Sequence, residues 1–271
     1  MKILALIGSY RKNGNTSRMV DLFAKQLAAE AERAGEPLEF ESLNLGHLDI
    51  RPCRGCRICF NKGEDKCPLK DDIPAIKEKM KTADAWIIAT PVYMGDMSGI
   101  LKNWSDRLAY ICHRPEFGGK SVFLLATTGA TPATIGFWSL RAMTAWGLSF
   151  AGQVCFKMGA LMDGEELKQR FTDTCRKHAR RFFKTVQRQQ EADPSFISLM
   201  TFRLQQASWP SEPHDTLDYQ YWHNMGWTDL RQTFYYPHRA NPVKVGLARL
   251  FGKGMAILMP RTSSLPTDSR R

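Results

Sequence analysis

Four of the seven cysteines fall within one short stretch, CRGCRICFNKGEDKC, residues 53 to 67. The spacing is C-x2-C-x2-C-x7-C, at Cys53, Cys56, Cys59 and Cys67. Three chemistries suit it. Four thiolates are the usual complement of a 4Fe–4S cluster: one winding loop reaches three corners, and the longer gap lets the chain return for the fourth. Arg51, Arg54 and Arg57 would then offset the anionic charge. Zinc also takes four cysteines, usually from two separated C-x2-C knuckles. Bare thiols that pack or respond to oxidation are the third reading, and the spacing leaves all three open. Cys112, Cys155 and Cys175 sit in apolar patterns and are expected in the core. The six histidines show no H-x3-H or H-E-x-x-H spacing. His178 is expected on a helix face, and the others are assigned no role.

A second chemistry-bearing stretch is GSYRKNGNTS, residues 8–17. It matches neither the G-x-G-x-x-G fingerprint nor the Walker A loop. It does bring hydroxyls, Arg11, exposed backbone N–H groups and a helix start into one turn, which is a site for a terminal phosphate. An ordinary capped turn between strand and helix is the alternative. A third stretch is TPVYMGDMSGILKNWSDR, residues 90–107. There Pro91 ends a strand, Tyr93 and Met94 offer flat, polarizable surface, and Gly95 and Gly99 permit close backbone approach. Ser98 can open the next helix. Such a ledge suits a planar ring. Thr127-Thr128-Gly129-Ala130-Thr131 adds hydroxyls and a glycine. Phosphate at one end and a flat ring at the other describe FMN.

These stretches need a scaffold that gathers them. Apolar runs at Lys2–Gly8, Leu38–Leu43, Ala85–Thr90, Ser121–Thr127 and Gly152–Phe156 predict five strands. Helical periodicities separate them: Met19, Phe23, Leu27 and Ala31; then a helix capped by Asp71–Asp72 and running to Met80; then Leu101, Trp104, Leu108 and Ile111; then Ile135, Trp138, Ala142 and Trp146. A long helix follows, with Leu167, Phe171, Cys175, His178, Phe182 and Val186 inward and Arg176, Lys177, Arg180, Arg181 and Lys184 outward. Strands alternating with helices predict an α/β fold, a five-stranded parallel sheet covered on both faces. Ligands of such sheets sit beyond the carboxyl ends of the strands, so the loops after strands one, three and four should meet. The alternation stops after Glu191. The reading is a domain at 1–192 and a helical, basic, aromatic-rich extension at 193–271, without internal repeats.

Composition bounds the partners. Lys and Arg number 38 against 27 acids, a net charge of +11. Residues 1–150 carry 20 basic and 16 acidic side chains, leaving 18 and 11 in residues 151–271. The excess favours anionic partners. The first apolar run spans only Ile3–Ile7, too short for a signal-peptide core, and no run is long enough to span a membrane. A cytoplasmic, reducing location is expected, where clustered cysteines serve metals or redox chemistry more often than disulfides. No recognised motif supports nucleic-acid binding. Val243, Leu247, Leu250 and Phe251 fit one face of a basic amphipathic helix, which leaves open a membrane-surface role beside the preferred reading, packing on a partner subunit.

Taken together, GSYRKNGNTS, the spaced cysteines followed by KDD, and TPVYMGDMSGILKNWSDR resemble the flavodoxin-like NAD(P)H-dependent FMN reductases, and most nearly their iron–sulfur flavoprotein branch. The resemblance covers roughly residues 1–190. It implies a flavodoxin-like doubly wound sheet, FMN held non-covalently, NAD(P)H or a redox protein as electron donor, and a homo-oligomer whose assembly completes the flavin site. By this resemblance Ser9, Arg11, Asn15, Thr16 and Ser17 hold the phosphate. Pro91, Val92, Tyr93 and Met94 border the ring, and Thr128 and Gly129 lie beside the ring or ribityl chain. Cys53, Cys56, Cys59 and Cys67 match the cluster motif. The expected activity passes electrons through FMN to a quinone, another small molecule or a protein, with no catalytic acid or base from the chain. A non-catalytic electron carrier is the alternative.

Overall fold

A computed structural model describes residues 1–129, 142–158, 161–188, 193–209 and 213–258. The first strand, β1 (Lys2–Ile7), is buried on both sides, as a central strand of a parallel sheet must be. It feeds α1 (Asn15–Ala34), which ends at Gly35 in the left-handed region that glycine adopts without steric cost. β2 (Glu39–Asn44) is the half-exposed edge. A short helix, α2 (Ile58–Asn61), lies within the cysteine stretch, and α3 (Ile73–Thr82) follows. β3 (Ala85–Pro91) leads to α4 (Gly99–Arg107), and β4 (Ser121–Thr128) is buried throughout. β5 (Ser149–Lys157) completes the sheet before the long helix α5 (Gly164–Gln187). Asp163 caps α5, its carboxylate accepting from the N–H groups of Glu165 and Glu166.

All strand pairs are parallel, in the order β2-β1-β3-β4-β5. This is the flavodoxin-like doubly wound order. Alternation along each strand splits the core. Leu4, Leu6, Trp86 and Ile88 meet Ile76 and Met80 of α3 and Leu101 and Trp104 of α4. Ile3, Ala5, Ile7 and Ile87 meet α1 and α5, where Phe23, Phe123 and Phe182 form a cluster of tilted rings. Each such ring contributes about 1.5–3 kcal/mol by leaving water. All five expected strands form, with ends shifted by up to three residues. Ile135 and Trp138 of the expected fourth helix lie outside the described residues, and Ala142–Trp146 forms a short 3-10 turn.

Past residue 193 the chain builds a separate helical core. It comprises α6 (Phe196–Ser208), α7 (Leu217–Asn224) and α8 (Pro242–Leu258) around Phe202, Trp222, Trp227, Phe234 and Tyr235. The buried Gln206 Nε2 lies 2.9, 2.9 and 3.2 Å from the carbonyls of Trp227, Asp229 and Gln232 and shares its two N–H groups among them, so one side chain fixes the turn between α7 and α8. No helix of the described residues is long and apolar enough to cross a membrane.

Candidate functional site

At the carboxyl edge of β1, β3 and β4 lies a cavity of about 120 Å³. Its walls include Ser9, Arg11, Asn15 and Thr16 from the first loop, Pro91, Val92 and Tyr93 from the third, and Thr128 and Gly129 from the fourth. The order β2-β1-β3 explains the meeting: the chain leaves β1 toward one face of the sheet and β3 toward the other, opening a crevice between their ends. Ser17 and Met94 do not line this cavity. Met94 is fully exposed, at the tip of a tight turn in which Tyr93 and Asp96 exchange backbone hydrogen bonds of 3.0 and 3.1 Å. Met94 and Gly95 have φ of 50° and 83°, the two left-handed residues of a type I′ turn. A methionine there is strained by about 1–2 kcal/mol.

The first loop fits a phosphate on a specific observation. Gly14, at the start of α1, has no side chain to cap it, and the first-turn N–H groups of any helix lack acceptors within the helix. The Ser17 hydroxyl in that turn is buried and has no hydrogen-bond partner. An orphaned buried donor costs about 1–3 kcal/mol unless something accepts from it. Thr16 hydrogen-bonds Thr127 at 2.7 Å and ties α1 to the end of β4. Asn15 uses its Oδ1 to accept from the Met162 N–H at 3.1 Å, which anchors the start of α5 beside the cavity.

Several supports were not legible in the sequence. Ser98 begins α4, but its hydroxyl caps nothing; it donates to the Gly8 carbonyl at 2.6 Å. The Ser98 N–H donates to the buried Thr90 hydroxyl at 3.0 Å, so one residue ties together the ends of β1, β3 and α4. Gly46 is pressed against the first loop, where a Cβ would fall 2.2 Å from the Ser9 carbonyl oxygen. His47 adds a 3.3 Å contact between Nε2 and the Tyr10 carbonyl. Only the return of the chain after β2 reveals these contacts.

The cysteine stretch forms a second site. Cys53, Cys56, Cys59 and Cys67 all line one cavity of about 780 Å³, with Arg54, Arg57, Arg107, Lys77 and Tyr110 among its other walls. Left-handed residues at Gly55 and Arg57, one in each x2 gap, turn the chain between successive thiols. All four cysteines are free. Burial pushes the Cys59 thiol up, and Cys53, Cys67 and Cys56 push it the same way. Among the described residues, no three Cys, His, Asp or Glu side chains converge as ligands of a single ion. A cuboidal cluster separates its thiolates more widely than one tetrahedral ion does. Four thiols around one cavity are a donor set of the kind a cluster takes.

Of the nearby arginines, Arg51 pairs with Asp49 at 3.4 Å and Arg57 lies over the Phe60 ring. The arginine that reaches a thiol is Arg107, with Nη2 3.8 Å from the Cys67 sulfur. Its side chain is 3% exposed and forms an ion pair with Asp71, which is 0% exposed. Burial opposes the Asp71 charge, but hydrogen bonds from Arg107 and from the Arg51 and Ile73 N–H groups prevail. They hold the carboxyl below the usual carboxylate range. One turn earlier on α4, Asn103 donates to the Ile50 carbonyl at 2.8 Å and accepts from the Cys53 N–H at 3.3 Å. From the other side, Arg114 donates to the Cys59 carbonyl at 2.6 Å and pairs with Asp218 of α7. The extension thus braces the cysteine loop.

Comparison with known proteins supplies the family. The family model for NADPH-dependent FMN reductase matches residues 1–137. The chain belongs to that family. It is 34% identical over 151 residues to an iron-sulfur flavoprotein of Archaeoglobus fulgidus, a match covering 55% of this chain and 64% of that one. It is 42% identical over 107 residues to another of Methanocaldococcus jannaschii, covering 40% and 51%. The matches thus span about half to two thirds of these relatives. Among solved structures, RosB with a bound 8-demethyl-8-formylriboflavin-5′-phosphate intermediate is similar with a TM-score of 0.54 and 19% identity. That match covers 70% of this chain and 78% of RosB, and it bears on the fold alone.

Proposed function

We propose that the protein is an FMN-dependent oxidoreductase. It takes electrons from NAD(P)H, or from a redox protein, and delivers them to a quinone, another small molecule or a protein. The carrying observation is the cavity at the ends of β1, β3 and β4, with the buried, unpartnered Ser17 hydroxyl in the first turn of α1. Bound FMN would supply the hydride and electron-transfer chemistry. The chain's part is to hold and orient. Ser9, Arg11, Asn15, Thr16 and Ser17 take the phosphate, Thr128 and Gly129 border the ribityl chain or ring, and Pro91, Val92, Tyr93 and Met94 flank the ring. A cavity of about 120 Å³ takes a phosphoryl group, not a tricycle, so the ring lies against the outer ledge. Exposed Tyr10, Tyr93 and Met94 favour closure of that ledge by a second copy of the chain.

The test is reconstitution. Protein freed of flavin should recover a yellow, FMN-saturated form at one flavin per chain, and NADPH or NADH should bleach it in a stopped-flow trace. Failure to bind FMN sinks the proposal. Binding without oxidation of either nicotinamide leaves an electron carrier.

The second part of the reading assigns Cys53, Cys56, Cys59 and Cys67 to a 4Fe–4S cluster. Their shared cavity and the arginine at Cys67 support it, as does the iron–sulfur naming of the relatives. α4, about 14 Å long, starts beside the flavin ledge and reaches this cavity with Asp106 and Arg107. Anaerobically prepared protein should contain four irons and four sulfides per chain, and Cys56→Ala should lose them while keeping flavin. Iron-free wild type returns the loop to bare thiols.

A further inference from the structure

α8 has two faces of opposite character. Asn241 caps it, Oδ1 accepting from the Val243 N–H at 2.8 Å, and Pro242 occupies the first helical position. The inner face is made of small residues. Ala248 is fully buried, and at Gly252 a Cβ would fall 2.6 Å from the Met200 carbonyl oxygen and 2.9 Å from the Arg203 Cβ. The helix therefore lies flush on α6, and apart from Val245, which packs on the core, most of its bulky apolar residues point outward.

They do so together. Val243 is 70% exposed, Leu250 67%, Ile257 74% and Leu258 84%, with Leu247, Phe251 and Met255 between them. At 100° per residue these seven occupy an arc of about 160°, which begins beside the small-residue face at Met255 and runs away from it. Phe251 also packs edge-on against Phe196 of α6, whose neighbour Ile197 is itself exposed. A helix of a monomeric protein places its apolar face inward. Here a second apolar face looks outward, and contiguous exposed apolar surface marks a contact site.

Charge identifies the occupant. Residues 239–258 contain Arg239, Lys244, Arg249 and Lys253 and no acid, and residues 259–271 add Arg261, Arg270 and Arg271 against Asp268 alone. Lys253 lies beyond one edge of the apolar arc, and Lys244 lies within it, between Phe251 and Met255. Lys244 is held by Asp193, whereas Lys253 is exposed and forms no ion pair among the described residues. Arg249 donates to the Gln232 and Leu230 carbonyls, which leaves its charge uncancelled. A contact between two copies through this helix would bring two basic segments together with no acid on either helix. An exposed apolar strip on a segment without an acid, with the unpaired Lys253 at its edge, matches the boundary of an anionic bilayer, where the apolar side chains lie among the upper acyl groups and the cations among the headgroups.

We infer that the outer face of α8 docks the protein on anionic lipid surfaces. The inference is independent of the flavin reading, because the helix is remote from both cavities in their lining. The experiment is co-sedimentation of the full chain with vesicles of pure phosphatidylcholine and of phosphatidylcholine with one quarter phosphatidylglycerol. The wild type should partition onto the anionic vesicles at least tenfold more strongly, and 0.5 M salt should remove most of that preference. The triple variant Leu247→Ser, Leu250→Ser, Phe251→Ser changes only exposed side chains and should bind at least tenfold less. Lys253→Gln should lose about fivefold on anionic vesicles and nothing on neutral ones. Sedimentation velocity of wild type and triple variant is run in parallel. Equal binding of both proteins to anionic vesicles overturns the proposal. So does an absence of vesicle binding, and a triple variant that changes oligomeric state without vesicle binding identifies a second copy of the chain as the occupant.

Discussion

The two cavities are built on opposite principles. The first sits where the sheet ends, and its walls are short turns pinned to the most buried elements. The Ser98 hydroxyl on the Gly8 carbonyl, its N–H on Thr90, and Gly46 behind Ser9 leave the loop little freedom. The second lies off the sheet, on a stretch where Cys53 and Cys56 are exposed and helical structure is limited to α2 and one 3-10 turn. That stretch is held by charged clamps: Arg107 with Asp71 from α4, Arg114 with Asp218 from the extension. A site made of backbone at strand ends is organised by folding itself. A site made of a long loop needs clamps, a bound group, or both.

Breaking a clamp should cost most. Asp71→Asn leaves the Arg107 guanidinium buried without its carboxylate, and breaking such a pair costs about 3–5 kcal/mol. Urea unfolding at pH 7 should show a midpoint shift of that size; a change below about 1 kcal/mol would mean that the loop is anchored elsewhere. The same pair sets an acid limit. Because the folded Asp71 carboxyl titrates below its unfolded value of about 4, its contribution is complete above that pH and fades as pH falls through the lower folded value. The wild-type midpoint should therefore drop as pH falls below about 4, and Asp71→Asn should flatten that limb.

On the first site, Thr16→Val with Ser17→Ala removes two hydroxyls of the first turn of α1. It should raise the FMN dissociation constant at least tenfold in a fluorescence titration, which corresponds to about 1.4 kcal/mol. Thiol reactivity of the cysteine loop should not change, and a parallel change would show that the two sites share one scaffold. Gly46→Ala tests the backing of the loop: displacing Ser9 should weaken FMN about tenfold although residue 46 does not line the cavity. The smallest effect is expected from Asp218→Asn. Arg114 keeps Glu64 at 3.6 Å and the Cys59 carbonyl at 2.6 Å, so stability should fall by less than in Asp71→Asn. Alkylation of Cys59, followed by mass spectrometry, should still quicken severalfold as the donor to its carbonyl loses its anchor.

Part of this contrast was legible in advance. The five apolar runs and the helical repeats between them determined the parallel sheet, because burial on both faces requires uninterrupted apolar strands. The strand-to-helix stretch GSYRKNGNTS, the ledge after β3 and the loop after β4 supply nine of the proposed flavin contacts around one cavity. Ser17 and Met94 were drawn from the same stretches, yet neither lines the cavity: the Ser17 hydroxyl is buried and Met94 is exposed to solvent. Direction within a turn depends on φ and ψ that residue type does not dictate.

What the sequence determined by itself is the alternation of elements and the residue chemistry at their ends, since both follow from local periodicity. It also held the four thiols close together, since spacing bounds reach. Tertiary structure alone decided which charges act on them. The neighbouring Arg51, Arg54 and Arg57 do not contact a cysteine sulfur, whereas Arg107, forty residues beyond Cys67, does. It also decided that α8 would bury glycine and alanine and present leucine, phenylalanine and isoleucine to the outside. The physical reason is common to both. A periodic pattern states that a side chain prefers a surface, and only packing between distant segments determines which surface it meets.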